Sequence, residues 1–222
     1  MLSVVIPTLN AGATLAATLS SLPAGLADEV IVSDGGSIDD TQAIVERLSA
    51  RVVTGDKGRG QQLARGAAAA KGDWLLFLHA DTRLGHGAAE VVRVFTNEPA
   101  NAWRAGVFRF RLDDAAWRAR LVEMGVAVRS RCLKLPYGDQ GLLISRALYD
   151  AVGGFKPMPL MEDVDLVRRL KGRLRLLPAD AITSAARYQR DGYARRVARN
   201  LSCLALYGLG VAPSRLQKWY EK

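Results

Sequence analysis

Two side chains that commonly bind metal ions follow an apolar run in the first half of the chain. Residues 75–78 (LLFL) are typical of a buried strand in a parallel sheet, and His79-Ala80-Asp81 ends the run. Residues two apart on an extended backbone point the same way, so His79 and Asp81 would face one ligand. An imidazole and a carboxylate there could hold a divalent cation against a diphosphate. Alternatively, Asp81 or Thr82 would cap the next helix.

A second candidate is the turn that follows the apolar segment 29–32 (EVIV). It begins with Asp34 and Gly35 and reads DGGS. Glycine lets a backbone approach a ligand closely, and the Asp34 carboxylate could accept a hydrogen bond from a base or a ribose hydroxyl. The alternative is a turn that starts a helix, with Ser37 or Asp39 as its cap.

Cationic side chains cluster around a third loop, the glycine-rich segment 55–60 (GDKGRG). Lys57 and Arg59 lie in this loop, and Arg65 follows in the next predicted helix. Such cations would suit a diphosphate, although a solvated basic loop would have the same composition. No P-loop motif and no G-x-G-x-x-G follow the first predicted strand, which excludes both of those nucleotide-binding folds.

Acidic residues open a later amphipathic helix, predicted over residues 161–171. Glu162 and Asp163 lie in its first turn, where the helix dipole favours carboxylates, so they need no further explanation when taken alone. The segment Tyr137-Gly138-Asp139-Gln140 lies between the two halves of the chain. It could bind acceptor hydroxyls or seat a diphosphate, or it could be a simple turn before a strand.

The elements that would position these residues alternate between strands and helices. Pro7 ends the first predicted strand, and Thr8 and Asn10 follow it in a polar turn. The pattern β-α-β-α-β-α-β predicts an α/β fold with a doubly wound, mostly parallel sheet and helices on both faces. The candidate residues follow strands whose carboxyl ends share one edge, where open α/β sheets bind ligands. The predicted strands are 2–6, 29–32, 51–53, 74–78, 106–112, 141–145 and 174–177, and the helices are 13–22, 39–48, 61–70, 86–95, 115–132, 146–152, 161–171 and a segment from about 190.

The overall composition indicates one ordinary domain. The 222 residues are 49% hydrophobic, and no run of eighteen apolar residues predicts a membrane span. The N-terminus has no basic region typical of a signal peptide. Cys132 and Cys203 are far apart without metal-ligand spacing, so we expect a reduced, cytoplasmic setting.

The net charge of +9 comes entirely from the last quarter of the chain. Residues 1–164 carry 18 acidic and 18 basic side chains, whereas residues 165–222 carry 4 acidic and 13 basic ones. An apolar helical stripe, flanked by Arg195, Arg196 and Arg199, runs through the tail. Residues 190–222 could therefore lie peripherally on an anionic membrane, cover the protein's own core, or form a homodimer. We expect no nucleic-acid partner, because the basic residues are not interleaved with aromatic ones. The stripe consists of Tyr193, Val197, Leu201 and Leu204.

Four motifs together carry a family resemblance. VVIPTLNAGATL, VSDGGSIDDT, KGRGQQLARGAAAAKGDWLLFLHADTRL and MEDVDLVRRL occur in this order and spacing. They resemble family 2 inverting glycosyltransferases of GT-A fold over about residues 2–175. The short chain and the HADT form are most similar to a small bacterial subfamily found beside radical-SAM and selenium-associated proteins.

The resemblance implies roles for individual residues. Pro7, Asn10 and Arg65 would lie at the nucleotide, Asp34 at the base, and Asp81 at the metal and the diphosphate. His79 replaces the first aspartate of the D-x-D motif, and since imidazole favours softer ions, Mn²⁺ becomes plausible beside Mg²⁺. Glu162 and Asp163 match the acidic pair on the acceptor side, with Asp163 as the general base. The donor-site candidates are Pro7, Thr8, Asn10, Asp34, Gly35, Lys57, Arg59, Arg65, Ala80, Asp81 and Asp139.

The implied activity is metal-assisted transfer of a sugar, with inversion, from a UDP-linked donor to an unknown acceptor. Residues 1–100 would bind the donor, residues 101–185 the acceptor, and residues 186–222 would form a basic helical tail of the same domain. The rivals are a nucleotidyltransferase, a basic module that binds nucleic acid or membrane, and an inactive homologue.

Overall fold

A computed structural model describes residues 1–220. Within this range eight strands form one sheet with the order β3-β2-β1-β4-β7-β6-β8-β5. The strands are β1 (Leu2–Thr8), β2 (Glu29–Asp34), β3 (Arg51–Thr54), β4 (Trp74–Phe77), β5 (Thr82–Leu84), β6 (Ala105–Leu112), β7 (Leu142–Ser145) and β8 (Leu174–Thr183).

Ten α-helices connect and cover these strands within the same range. They are α1 (Gly12–Ser20), α2 (Thr41–Arg47), α3 (Arg59–Ala69), α4 (Ala88–Asn97), α5 (Trp117–Cys132), α6 (Arg146–Ala151), α7 (Glu162–Arg169), α8 (Ala186–Asp191), α9 (Tyr193–Gly208) and α10 (Pro213–Tyr220). None of them is long and apolar enough to cross a membrane.

The first four strands form the parallel half that the alternating pattern predicts. β1 pairs in parallel with β2 on one side and with β4 on the other, and β3 extends the sheet beyond β2. Side chains alternate across the sheet: Val4 is fully buried in the cluster on one face, and Val5 in the cluster on the other. The fold class is therefore confirmed, with an apolar core on each face.

The first strand continues past Pro7, where the sequence predicts its end. The pairing of β1 with β4 stops at Val5 and Phe77. Pro7 lies beyond that pairing, so its missing N–H group costs no hydrogen bond to β4. On the other side of β1, Thr8 still pairs with Asp34 of β2. The extension brings both of these polar residues to the carboxyl edge of the sheet.

No helix begins at Asp81 or Thr82, so the capping alternative is wrong. Residues 82–84 instead form β5, which pairs antiparallel with β8 through Arg83 and Ile182. β8 itself runs six residues beyond its predicted end at Leu177. A register shift between β6 and β8 spans the region of Pro178, so the strand can pass a residue that lacks a backbone N–H donor.

The tail covers the protein's own core rather than presenting the predicted stripe to solvent. Tyr193 and Val197 pack against a cluster built by β6, α5 and α8, and Leu204 packs against a second cluster around Met161. Only Leu201, at 53% exposure, faces outward. The last two residues of the predicted tail, 221–222, lie outside the described residues.

Candidate active site

Five of the predicted site residues line one cleft of about 100 Å³. They come from four separate elements: the start of α3, the segment after β4, the turn before β7, and the start of α7. The sheet topology brings these segments together at the carboxyl edge of β4, as the sequence predicts. The five residues are Arg59, His79, Asp81, Asp139 and Asp163.

Asp163 lies in the first turn of α7 with its carboxylate fixed by two backbone donors. Its Oδ2 accepts from the Gly138 N–H at 2.8 Å, and its Oδ1 accepts from the Val164 N–H at 2.8 Å. The preceding Met161 is buried and has a φ of 65°, a left-handed conformation that is costly for a side-chain-bearing residue. Strained backbone held by buried packing is a frequent feature of functional sites, and here it begins the helix that carries Asp163.

Glu162 does not line the cleft itself but pairs with Arg59, which does. It is fully buried and forms an ion pair with the Arg59 guanidinium. Burial raises the pKa of Glu162, and the charge of Arg59 opposes this rise. Burial alone would lower the pKa of Arg59, but the nearby carboxylates of Glu162 and Asp163 outweigh it and keep this pKa above its usual value. Glu162 is therefore placed to hold a cation at the cleft, while Asp163 faces the cleft directly.

His79 is packed closely against the turn that precedes β7. A Cβ atom added at Gly138 would lie 2.7 Å from His79 Nε2 and 3.4 Å from Asp163 Oδ2, so a larger residue here would displace the His79 side chain. Burial and the nearby charge of Arg59 lower the pKa of His79 to about 3, although Asp163 opposes this. The imidazole is therefore neutral, which is the form that binds metals.

Asp81 and Asp139 complete the acidic side of the cleft. Asp81 Oδ2 lies 3.9 Å from the Arg187 guanidinium. Asp139 Oδ1 is buried and has no hydrogen-bond partner among residues 1–220. Burial raises the pKa of Asp139 to about 6, and the charges of Asp163 and Asp81 add to this effect, while Arg129 opposes it. A carboxylate in this position would be stabilised by a cation.

These donors fit a divalent cation only if other ligands complete its shell. Within the described part of the chain, no group of three or more His, Cys, Asp or Glu side chains converges on one point. His79 and Asp81 would thus supply two protein ligands at most. Mg²⁺ and Mn²⁺ sites that hold nucleotides commonly use one or two carboxylates and take phosphate and water as the other ligands. The residues present fit that pattern.

A second polar cluster, the donor-edge cluster, lies where β1 and β2 end. Its centre is Asp34, which is fully buried and accepts five hydrogen bonds. Thr8 and Ser37 hydroxyls donate to Oδ1, whereas the backbone N–H groups of Gly36 and Ser37 and the Gln42 amide donate to Oδ2. Burial alone would raise the pKa of Asp34, but these hydrogen bonds, led by those from Ser37, bring it below its usual value.

The other predicted donor residues surround this cluster. Asn10, with a φ of 51°, accepts from the Ile38 N–H through its side chain and donates its own N–H to Ser37. The Gly35 N–H donates to the Thr8 carbonyl at 2.9 Å, and the Ala80 carbonyl accepts from the Thr18 hydroxyl. Hydrogen bonds thus join the loops after β1 and β2, and another joins α1 to the segment after β4. Pro7 lies in β1 beside Ser33.

The three cations of the glycine-rich segment go in different directions. Arg59 reaches the cleft, whereas Arg65 donates to the Asp34 carbonyl at 2.7 Å and Lys57 is exposed. A residue that sequence reasoning missed, Gln62, joins these regions. Its amide donates to the carbonyls of Thr8 and Ser33. The sequence signal that could have identified Gln62 is its spacing of three residues from Arg65, which places both on one face of the predicted helix.

The far wall of the cleft comes from the tail, which the sequence did not assign to the site. Arg196 is buried, contacts Asp191 at 3.3 Å and donates to the Tyr220 hydroxyl. The local excess of arginine was visible in the sequence, but the face that turns inward was not. The tail residues lining the cleft are Arg187, Tyr188, Arg196, Asn200, Cys203 and Tyr220.

The fold and the acidic cleft define a GT-A enzyme class, and comparison with solved structures agrees. Glucosyl-3-phosphoglycerate synthase from Mycobacterium tuberculosis, crystallised with Mn²⁺, UDP and glucosyl-3-phosphoglycerate, superposes with a TM-score of 0.57 at 25% identity, over 83% of this chain and 70% of that one. Staphylococcal TarS (S. aureus) in complex with UDP gives a TM-score of 0.63 at 18% identity, over 83% and 61% of the two chains, and supports the fold alone.

The chain belongs to glycosyl transferase family 2, whose model matches residues 3–148. Glucosyl-3-phosphoglycerate synthase from M. tuberculosis is 38% identical over 92 residues, which is 36% of this chain and 28% of that protein. A PGL/p-HBAD biosynthesis glycosyltransferase of Mycobacterium bovis is 40% identical over 94 residues, 38% of this chain and 36% of that protein. The chain thus covers 28% and 36% of the length of these two relatives.

Proposed function

We propose that this chain transfers a sugar from a UDP-linked donor to an acceptor hydroxyl, with inversion at the anomeric carbon. The observation that carries the proposal is the position of Asp163, a carboxylate fixed by two backbone donors, in one cleft with His79 and Asp81. The family match supplies the reaction class. The metal and the nucleotide in this proposal are those crystallised with glucosyl-3-phosphoglycerate synthase, whose structure contains Mn²⁺ and UDP-glucose. That protein is 26% identical to this chain.

The chemistry needs a base and a means of stabilising the leaving group. Asp163 would remove the proton from the acceptor hydroxyl as its oxygen bonds to the anomeric carbon and the bond to the diphosphate breaks. A bound divalent cation, held by His79 and Asp81, would neutralise charge on the departing diphosphate. Arg59, kept charged by Glu162, lies where it would add to that stabilisation.

We assign the donor to residues 1–100 and the acceptor to residues 101–185 of a single domain, followed by the tail. Support comes from the donor-edge cluster, which lies in the first of these segments, and from Asp163, which lies in the second. The HADT motif supports placement in the subfamily found beside radical-SAM and selenium-associated proteins. The substitution of His79 for an aspartate is consistent with Mn²⁺ as the metal.

Calorimetric titration tests the donor site. UDP, UDP-glucose and GDP would be titrated separately in Mn²⁺, Mg²⁺ and EDTA. We expect UDP and UDP-glucose to bind with Mn²⁺, and EDTA or Asp81→Asn to weaken binding by tenfold or more, on the order of the loss seen for disturbed metal sites.

The matched control is Asp73→Asn. Asp73 is 84% exposed at its side chain and pairs with the N-terminal amine. This variant should bind UDP as the unaltered chain does. If no nucleotide binds in any condition, the proposed function is wrong.

A further inference from the structure

Helix α5 has two apolar faces, and only one of them packs against the protein. Ala119, Val122 and Val126 face inward against β6 and the tail. A second set of large apolar residues recurs at spacings of four, three and four along the opposite side. Its members are Trp117 at 66% exposure, Leu121 at 51%, Met124 at 59% and Val128 at 56%. We call these four residues the outer stripe.

A second apolar stripe, left exposed on the far side of a packed helix, is typical of an interaction surface. Four large side chains at helical spacing make a continuous apolar strip, unlike single apolar residues scattered over a surface. The segment continues into Leu133, which is 62% exposed. The outer stripe is therefore a candidate interaction surface.

Within residues 115–138, which contain the outer stripe, every exposed charge is positive: the sequence there has five basic residues and one acid, Glu123, which is only 4% exposed. Asp113 and Asp114 precede this segment and accept hydrogen bonds from residues 185–193 of the tail side. The Arg118 guanidinium lies 5.5 Å from the centre of the Trp117 ring. Two copies of this face would repel each other, whereas an anionic surface would complement it. The five basic residues are Arg118, Arg120, Arg131 and Lys134, which are exposed, and Arg129, which is half-buried against the Tyr137 ring.

A cationic cavity of about 230 Å³ opens beside Met124 of the stripe. Arg109, Arg111, Arg120 and Arg131 line it. The first three pair with Asp180 or Glu123, at 2.8 Å in each case, so two acids face four cations. Arg131 forms no ion pair among residues 1–220. The cavity retains positive charge and is large enough to accept a phosphate group.

From these observations we infer that α5 docks this protein on the surface of a bilayer that contains anionic lipids. The outer stripe would enter the headgroup region, with Trp117 at the interface, and the cavity beside Met124 would take a lipid phosphate. This goes beyond the proposed function, since neither a sugar donor nor the acidic cleft enters the argument. The docking face differs from the tail stripe of the sequence prediction, whose members mostly pack inward.

The docking face is also close to the cleft along the chain. Ser130 of α5 donates to Gln140, which lines the cationic cavity, while the neighbouring Asp139 lines the cleft. The short turn Gly138–Gln140 thus separates the two cavities. A bilayer at α5 would lie next to the segment that supports His79 and Asp163.

Vesicle flotation of the full chain tests the inference. The vesicles would be phosphatidylcholine alone, or the same lipid with about a third of phosphatidylglycerol. We expect the chain to float with the anionic vesicles and not with the neutral ones. Trp117→Gln/Val128→Gln should reduce partitioning by about tenfold or more without changing the net charge.

A matched control is available elsewhere on the surface. Trp103 and Val94 are 54% and 60% exposed; Val94 lines a surface cavity with Glu90 and Glu98, and the Trp103 ring lies 5.7 Å from the Arg173 guanidinium. Trp103→Gln/Val94→Gln removes the same two residue types and should leave flotation unchanged. If Trp117→Gln/Val128→Gln fails to fold, as judged by its thermal melt, Leu121→Gln/Met124→Gln tests the same stripe.

Charge is tested separately. Arg131→Gln should weaken binding to anionic vesicles by about fivefold, the effect of one cation near a charged membrane, while Arg47→Gln in α2 should not. Three outcomes would overturn the inference: no flotation with anionic vesicles at low salt, equal flotation of the stripe variants and the unaltered chain, or a dimer in sedimentation velocity that the stripe variants dissociate. The last would make the face an interface between two copies.

Discussion

The donor-edge cluster and the acidic cleft lie at the same edge of the sheet but differ in how their carboxylates are satisfied. Asp34 accepts five hydrogen bonds from the protein itself. Asp139, in contrast, has a buried oxygen without a partner among residues 1–220, as do Glu162 and the Tyr137 hydroxyl. Burial of unpaired polar atoms is costly, so the two regions have different consequences for stability.

The difference separates a carboxylate that supports the scaffold from carboxylates that leave room for a ligand. The Asp34 carboxylate is satisfied by the protein itself and fixes the loops after β1 and β2, whereas the nearby Arg65 Nε and Ser33 hydroxyl have no hydrogen-bond partner among residues 1–220. The cleft has polar groups that the protein leaves unpaired and that a ligand could satisfy. Its carboxylates repel one another unless a cation binds or one of them is protonated. Substitution of a carboxylate should therefore change the free energy of unfolding in opposite directions in the two regions.

The largest effect should come from Asp163→Asn. Loss of a general base commonly lowers a rate by about a hundredfold to ten-thousandfold, and we expect kcat to fall within that range while UDP binding is kept. The assay would follow UDP release from UDP-glucose with a small-molecule extract as the acceptor source. Asp150→Asn, at an exposed position in α6, is the control. A variant with more than half of the original rate would exclude Asp163 as the base.

Asp34→Asn should destabilise the fold by about 2 to 3 kcal/mol at pH 7, because an amide cannot accept all the hydrogen bonds made to a buried carboxylate. The folded-state pKa of Asp34 is below its usual value of 3.8, so its contribution is present above that value and is lost as the pH falls through the folded-state pKa. Urea unfolding at pH 7 and at low pH checks both statements. Equal stability of the two proteins at pH 7 would contradict them.

Replacement of Asp139 by asparagine should instead stabilise the protein. The folded-state pKa of Asp139 is about 6 against a usual value of 3.8, so stability is lost as the pH rises between these values. Asp139→Asn avoids that loss, and the metal-free protein should gain about 2 to 3 kcal/mol at pH 7 and little at pH 4. Urea titration in EDTA measures it. A destabilised variant at pH 7 would show that the carboxylate is satisfied in solution.

The smallest effect should come from Gly138→Ala. The added methyl group would contact His79 Nε2 and Asp163, displacing one of them by a few tenths of an ångström, so we expect UDP affinity in Mn²⁺ to fall several-fold with the fold intact. Gly125→Ala is the matched control, because nothing lies within 4 Å of the added atom. In a helix it should raise stability by up to about 1 kcal/mol. Calorimetry and thermal melts distinguish the two.

Most of the parallel half was predictable because its signals are local. Apolar runs such as residues 75–78 and the glycines between them mark strands and turns without reference to the rest of the chain. β5 was missed because three residues give no periodicity, and its existence depends on pairing with β8. The end of β8 was misplaced because proline normally stops a strand, whereas here a register shift accommodates it.

In the cleft, the places of His79 and Asp81 after β4 and of Asp163 in the first turn of α7 were predictable from local patterns, and the three residues line one cleft, while their roles stay predictions. Contacts between residues distant in sequence were not predictable. The pairing of Arg59 with Glu162 joins residues 103 positions apart, and no local pattern indicates it. Likewise, the burial of Arg196 depends on Asp191 and the Tyr220 hydroxyl, so the sequence alone suggested a solvated arginine.

The position of β8 in the sheet sets a delay during synthesis. β6 pairs with β7 through only Ala105 and Gly106, and the remainder of β6 has β8 as its partner. About seventy residues separate the end of β6 from the end of β8, which corresponds to roughly 4 to 14 s of translation. For that time two strands of a nascent chain present unpaired edges, and such edges recruit other chains. The interval between the ribosome's completion of β6 and of β8 is therefore when the edges of β5 and β6 are most open to pairing with another chain.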